Sequence, residues 1–212
     1  MARKKIILPR NINFKKISSL FCVTGIDGCG KGTQIFLLKD RLEKDGHDVA
    51  VVKAYGDAEK ESLSHFMRVW DDMTITLIFQ GLQHQQYANT LRERHQKKIV
   101  LADRWDESFY AYHSVFGPLS KCPELRDTLN QIAFNNCIPK LTFLLDVPIA
   151  EAEKRLISRG MDYFDKKGFK YHSVMRQQYL NIAKERKWVI IDGTLKPDQI
   201  HEIIYSEVRK SI

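Results

Sequence analysis

Residues 25–33 read GIDGCGKGT and follow directly on the apolar run LFCVT at 20–24. The segment nearly matches the phosphate-binding loop GxxxxGK[ST], but Gly32 stands where a hydroxyl should follow Lys31. Glycines let such a loop curl until its amides point inward at the positive end of a helix, and Lys31 adds a cation for terminal phosphates. The sequence therefore predicts a nucleotide-binding loop, with a glycine-rich structural turn as the alternative. Its candidate ligand-binding residues are Gly25, Ile26, Asp27, Gly28, Cys29, Gly30, Lys31, Gly32 and Thr33.

Short apolar runs of strand length recur along the chain, at 20–25, 48–53, 98–103, 141–147 and 188–192. Helical spacing fills the intervals, as at Ile35, Leu38 and Leu42 before Gly46, which is a plausible helix stop. Strands that alternate with helices imply a parallel sheet covered on both faces. We therefore predict an α/β fold of the P-loop NTPase type, with three layers, a five-stranded parallel sheet and a short lid.

The composition of the 212-residue chain is that of one globular domain, with 43% hydrophobic and 28% charged residues. No apolar run approaches the roughly 18 to 20 residues that span a bilayer, and no signal-peptide pattern is present. Four cysteines lie without metal-site spacing and indicate reduced thiols. We expect a soluble, cytoplasmic protein without a membrane partner.

Residues 1–18 carry six Lys or Arg and no acidic residue. This charge pattern predicts a basic N-terminal extension, with residues 19–212 as a single domain. A short organelle-targeting arm or an interaction arm stays open as an alternative.

A second candidate signature, DRWDESFYAYH at 103–113, follows the third apolar run. Asp103 ends a strand of the same sheet as the loop, from where a carboxylate reaches the water shell of a metal, and Arg104 beside it suits a second phosphate. Gly32 offers Mg²⁺ no oxygen, whereas Thr33 carries a hydroxyl. Mg²⁺ commonly keeps several waters, so Asp103 and Thr33 are candidate metal ligands, directly or through water.

Together the two signatures resemble the thymidylate kinase family, which transfers a phosphoryl group from ATP to dTMP. The resemblance rests on a loop with Asp27 three residues before Gly30 and on the pattern DRxxxSxxAY from Asp103 to Tyr112. It continues through LIF at 77–79, DxxD at 162–165, YLNIA at 179–183 and IDGT at 191–194. It therefore covers nearly the whole chain from Leu20 onward.

The resemblance implies a role for each matching residue. Lys31 and the loop amides would hold the ATP phosphates, and Asp27 would receive the 3'-hydroxyl of the monophosphate. Acceptor-site roles fall to four further residues: Arg104 on the phosphate, Phe79 stacked on the base, Tyr112 against the deoxyribose, and Ser108 beside them. Arg155 would stack on adenine, whose other side meets the turn at Gly193.

Departures from the family concern the acceptor and the charge on the transferring group. The turn after the second strand reads KAYGD and lacks the Pro or Arg often found there, so Lys53 and Tyr55 are candidate contacts to the acceptor phosphate. Gln83 stands where relatives usually have Arg, and its amide has both a donor and an acceptor, so we expect weaker rejection of dUMP or dCMP than an arginine gives. Phe109 replaces a residue that is polar in some relatives. Some relatives also place a cation in the loop where this chain has Gly28, so the lid at about 159–170 should supply it, from Arg159, Lys166, Lys167 or Lys170.

Two other functions stay open beside phosphorylation of dTMP. One is a deoxynucleoside kinase or a pyrimidine monophosphate kinase of relaxed specificity, although Ala54 stands where a nucleoside kinase needs an acidic base. The other is a nucleotide- or nucleic-acid-binding protein on a kinase fold, to which the net charge of +8 would lend itself. Expected partners are ATP and a deoxynucleoside monophosphate, and nucleic acid is not expected. The oligomeric state is open, with dimers common in the family.

Overall fold

The computed structural model describes residues 13–159 and 167–212, apart from the side chains of Asp57, Ala58, Lys60, Glu61 and Arg159. Five strands form one sheet: β1 (Lys15–Thr24), β2 (Val49–Lys53), β3 (Ile99–Asp103), β4 (Cys137–Asp146) and β5 (Val189–Asp192). Their spatial order is β2-β3-β1-β4-β5, and every pairing is parallel. The predicted five-stranded parallel sheet is confirmed.

Helices occupy most of the intervals between strands. They are α1 (Lys31–Lys44), α2 (Asp57–Val69), α3 (Asp72–His95), α4 (Glu107–His113), α5 (Pro123–Phe134), α6 (Ile149–Arg159), α7 (Gly168–Arg186) and α8 (Pro197–Arg209), with a short 3-10 helix at Pro118–Lys121. Helix α1 ends as predicted, because Gly46 just beyond it adopts a φ of 88° that favours glycine. No helix in the described ranges is long and apolar enough to span a membrane.

Two buried clusters cover the faces of the sheet. One joins Phe21, Leu101 and Phe143 of the central strands to the inward residues of α1 and α8, such as Leu38 and Ile204. The other joins the alternate residues, Leu20 and Val100, to Tyr87 of α3 and Phe134 of α5. Adjacent residues of a strand point to opposite faces, so both faces are buried and the strands are apolar throughout. The core confirms the three-layer arrangement.

Strand β1 begins earlier than its apolar run suggested. Lys15 and Lys16 pair with Cys137 and Ile138 of β4, which likewise begins four residues before its predicted start at 141. Only Ile17 in this part of the strand is buried, while both lysines are exposed. The charge pattern placed residues 15–18 in the N-terminal extension, but they belong to β1. Exposed lysines did not exclude a strand, because they are compatible with an edge of β structure.

The order of the strands creates the crevice in which a site can form. The chain leaves β1 between two neighbours, β3 on one side and β4 on the other. In open α/β sheets, ligands bind beyond the carboxyl ends of the strands at such a reversal of strand order. The loop after β1 and the signature after β3 both lie at this end.

Candidate active site

A cavity of about 670 Å³ lies at the carboxyl end of the sheet. Its lining includes the glycine-rich loop, the inward face of α3, the start of α4, Arg155 of α6 and several residues of α7. The size is that of a pocket for a small organic ligand. The fold therefore brings the two sequence signatures to one cavity.

Backbone geometry explains the glycines of the loop. The backbone φ values are 143° at Gly25, 80° at Gly28 and 98° at Gly30, and residues other than glycine rarely adopt such values. A Cβ atom on Gly25 would lie 2.6 Å from the Leu145 carbonyl oxygen, and one on Gly28 would lie 2.6 Å from the Ala152 carbonyl oxygen. The loop leads directly into α1, whose amino-terminal end is a natural site for phosphate.

Lys31 lies within the curl of this loop and is only 9% exposed. Its ammonium donates to the carbonyl oxygens of Gly25 at 3.3 Å and Ile26 at 3.1 Å. The same nitrogen is 3.6 Å from Oδ1 of Asp27. The loop thus holds a cation against the cavity.

Arg104 binds the same carboxylate from the opposite side. Its Nη2 donates to Asp27 Oδ1 at 2.6 Å, and its Nη1 donates to the hydroxyl of Tyr179 at 2.5 Å. Burial alone would lower the pKa of Arg104, but the neighbouring Tyr179 and Asp27 outweigh it, and the pKa is raised well above its usual value. The guanidinium therefore remains charged and fixed in direction, as a phosphate-binding group requires.

Asp103 lines the cavity at the end of β3 and is half-buried. Its Oδ1 is buried and has no hydrogen-bond partner among the described residues. An orphaned carboxylate oxygen fits the hard oxygen donors that Mg²⁺ prefers. Thr33, also on the cavity wall, is exposed, and Gly32 has open space where a side chain would stand.

A network behind Arg104 includes residues that the sequence analysis did not assign. The Tyr179 hydroxyl, on α7, lies 3.0 Å from Oγ of Ser108, which in turn donates to Glu107 at 3.3 Å. Glu107 is buried and also accepts from Thr24 Oγ1 at 2.6 Å. Burial first, and Asp106 second, raise the pKa of Glu107. Tyr179 belongs to the segment YLNIA that carried the family resemblance, which was the one available signal.

Aromatic residues form the part of the cavity assigned to the base. Phe79 packs edge-on against Tyr55 with ring centroids 5.6 Å apart, and both line the cavity. Tyr112 lies on the wall formed by α4. Phe109 is buried against His113, with centroids 4.6 Å apart. Burial, and then Arg126, lower the pKa of His113 to about 4, so its ring is neutral at physiological pH.

Arg155 connects the loop with the turn after β5. Its Nη2 donates to the Gly193 carbonyl oxygen at 3.1 Å, and its Nε to Glu151 at 2.8 Å. A Cβ atom on Gly193 would lie 2.4 Å from a methyl group of Val147, so the turn requires glycine there. The structure thus brings together the two residues that the sequence analysis placed around adenine.

The predicted lid lies largely outside the described residues, including Lys166, Asp162, Asp165 and the side chain of Arg159. Lys167 lines the cavity, with its ammonium 5.6 Å from the ring centroid of Tyr112 and 5.2 Å from that of Tyr171. Burial lowers the pKa of this lysine. Lys167 and Lys170 are both exposed, but Lys170 is not part of the cavity lining. Lys167 is therefore the one lid cation that the described part of the chain places at the cavity.

Comparisons with known proteins point to one family. The family model described as thymidylate kinase matches residues 23–204. A thymidylate kinase of Fervidobacterium nodosum is 32% identical over 185 residues, which cover 85% of this chain and 93% of the relative. One of Thermosipho melanesiensis is 31% identical, covering 89% and 94%, and one of Bradyrhizobium is 29% identical, covering 89% and 88%.

Proposed function

The chain belongs to the thymidylate kinase family, and we infer from this that it transfers a phosphoryl group from ATP to dTMP, giving dTDP and ADP. The observation that carries the inference is the convergence of two cations on one carboxylate. Lys31 of the loop and Arg104 of the second signature approach Asp27 to 3.6 Å and 2.6 Å. A donor phosphate on the first and an acceptor phosphate on the second would therefore be neighbours.

We propose that ATP is held by the loop residues 25–33 and by Arg155. Loop amides and Lys31 would bind its phosphates at the start of α1, because unsatisfied amides and the helix dipole both favour negative charge there. Arg155 would stack on adenine, with the Gly193 turn on the opposite side. The 3.1 Å hydrogen bond between Arg155 and the Gly193 carbonyl oxygen shows that the two groups adjoin, and this bond would have to open for adenine to enter between them.

The monophosphate would lie between α3 and α4. We propose that Arg104 and Ser108 hold its phosphate end, Asp27 its 3'-hydroxyl, and Phe79 and Tyr112 its base and sugar. Gln83 would contact the base. All six line the cavity, and their arrangement from phosphate-binding cations to aromatic rings matches the polarity of a nucleotide.

Mg²⁺ is part of the proposal, with Asp103 and Thr33 as the residues that would hold it, directly or through water. The orphaned Oδ1 of Asp103 supports this assignment. The ion would neutralise negative charge on the phosphates. No general base is needed, because the attacking group is a phosphate oxygen that is already ionised at neutral pH.

Negative charge develops on the transferring phosphoryl group, and a further cation is needed to stabilise it. We propose that Lys167 supplies it, with Arg159 and Lys166 as the other lid residues assigned to this role. The loop itself has no room for such a side chain at Gly28, because any Cβ there meets the Ala152 carbonyl. The position of Lys167 beside Tyr112 on the cavity wall supports its choice.

We also propose that the protein is a cytoplasmic homodimer. All four cysteines are free thiols, as is usual in a reducing compartment. Val69 and Trp70 at the end of α2 and Leu77 on α3 are between 43% and 61% exposed, and such apolar surface suits an interface. Light scattering on the purified chain measures the mass directly: about twice 24.7 kDa supports the dimer, and 24.7 kDa contradicts it.

An ADP-release assay with dTMP and thymidine as alternative acceptors tests the function. We expect dTMP-dependent release, abolished or reduced by orders of magnitude in Lys31→Ala, which loses a cation at the transferring phosphates. Lys39→Ala, an exposed lysine of the same helix paired with Glu43, is the matched control. Release with thymidine but not dTMP would favour the deoxynucleoside kinase, and no release with any acceptor would favour a binding protein.

A further inference from the structure

Two glutamines lie one helical turn apart on α3, where the cavity meets the proposed base. Gln83 lines the cavity near Phe79 and is 8% exposed. Gln80 is 6% exposed and is not part of the cavity lining. Any influence of Gln80 on a ligand must therefore act through its neighbour.

The two side-chain amides are joined by a short hydrogen bond. Nε2 of Gln80 donates to Oε1 of Gln83 at 2.7 Å. Among the described residues, Nε2 of Gln83 has no hydrogen-bond partner, and it is not among the buried orphaned atoms. The NH₂ group is therefore the end of the Gln83 amide that remains for a ligand in the cavity.

The reverse arrangement, in which both amides turn over, is less favourable. As the pair stands, the buried polar atom left without a partner is Oε1 of Gln80. After the reversal it would be the NH₂ group of Gln80, buried without an acceptor. Orphaned N–H groups are rarer in proteins than under-satisfied carbonyls, which indicates their higher cost. The surroundings of Gln80 thus select the orientation of Gln83.

We propose that Gln80 is a positioning residue that determines base specificity by holding the NH₂ group of Gln83 toward the base. A donor at that point donates to the 4-keto oxygen of thymine or uracil and opposes the 4-amino group of cytosine, which is also a donor. The inference rests on the proposed function and refines the expectation from sequence, in which the Gln83 amide was able to turn either way. A site held in this way rejects dCMP but not dUMP.

Substitutions at Gln80 separate this role from a structural one. Gln80→Met removes the hydrogen-bond donor and keeps a side chain of similar size. We expect the ratio of kcat/KM for dTMP over dCMP to fall by about fivefold or more, which corresponds to the net contribution of one hydrogen bond. Gln80→Glu offers only acceptor oxygens, so the Gln83 amide must donate to it and turn its carbonyl to the base. The ratio should then fall further. The ratio for dTMP over dUMP should not change in either variant, because both bases carry the 4-keto group.

A Gln83→Leu background is the matched control. Without the amide of Gln83, adding Gln80→Met should leave the dTMP to dCMP ratio as it was. An unchanged ratio in the single variants, an equal loss on all three monophosphates, or the same change in the Gln83→Leu background would overturn the proposal.

Measuring the binding of dTMP and dCMP by calorimetry distinguishes failure of this inference from failure of the proposed function. Protein that binds dTMP in preference to dCMP in a Gln80-dependent manner, yet does not phosphorylate it, would contradict the function and support the inference. Phosphorylation of dTMP with a preference independent of Gln80 would do the opposite. Binding of neither monophosphate would overturn both.

Discussion

Arg104 is the residue on which the acceptor assignment depends most directly. Its two hydrogen bonds, to Asp27 and Tyr179, fix the direction of the guanidinium before any phosphate arrives. Arg104→Ala should raise the KM for dTMP by about 10- to 100-fold, since a hydrogen bond to a charged group contributes about 1.5–3 kcal/mol. Steady-state kinetics with each substrate varied in turn measure this, with the exposed Arg92→Ala as control. A rise in the KM for ATP alone would contradict the role.

His113 gives the protein a specific sensitivity to acid. Its pKa in the folded state is about 4, below the value of about 6.5 in an unfolded chain. In this pH range the unfolded chain therefore binds a proton that the folded protein does not bind. The free energy of unfolding falls as the pH drops from about 6.5 toward 4. Between pH 7 and pH 5 the loss should be about 2 kcal/mol.

Urea unfolding at both pH values, on the parent protein and on His113→Gln, measures this contribution. The variant should lose about 2 kcal/mol less than the parent. His47→Gln, which replaces an exposed histidine, is the control. Equal losses in the parent protein and in His113→Gln would show that the buried ring is not the cause.

At the scale of elements, the phosphate-binding loop offers a matched pair of glycines. Gly28→Ala introduces a Cβ at positive φ and 2.6 Å from a backbone oxygen, whereas Gly32→Ala meets nothing within 4 Å inside α1. We expect Gly28→Ala to lower Tm by at least about 4 °C, which corresponds to 1–2 kcal/mol at this size. Gly32→Ala should leave Tm unchanged or raise it, because glycine is a poor helix former. Equal effects in a thermal melt would contradict the loop geometry.

Two exposed lysines lie at or near the start of α7, and of these Lys167 lines the cavity whereas Lys170 does not. Lys167→Ala should lower kcat by about 10²-fold with little change in the KM for dTMP, because its charge matters most in the transition state. Lys170→Ala, an exposed neighbour on the same helix, should be silent. Full activity of a folded Lys167→Ala protein would remove this lysine from the mechanism.

At the scale of the whole molecule, the sheet and the site were predictable to different degrees. Strand positions followed from apolar runs, because a parallel sheet buried on both faces leaves no polar alternation within its strands. The loop and the signature beginning at Asp103 were predictable because each immediately follows a strand, and strand ends meet at one edge of the sheet. The starts of β1 and β4 were misplaced, and at β1 the reason is that the exposed Lys15 and Lys16 resemble a solvated extension.

Contacts between elements were beyond the reach of the sequence. The network from Arg104 through Tyr179 and Ser108 to Glu107 joins residues that are up to 75 positions apart, and no local pattern specifies it. The bond between Gln80 and Gln83 lies within one helix, yet the spacing alone does not reveal which amide faces the cavity. Burial and hydrogen bonding decide both, and these depend on the complete fold.

The most direct test of the assigned reaction follows the phosphorus atom that is transferred. ATP labelled in its γ-phosphate is incubated with the protein, Mg²⁺ and dTMP, and the products are separated. Transfer between the groups that meet at Asp27 predicts dTDP carrying the label in its β-phosphate, in an amount equal to the ADP formed. Label released as inorganic phosphate with dTMP unchanged, or label on thymidine but never on dTMP, would contradict the assigned reaction.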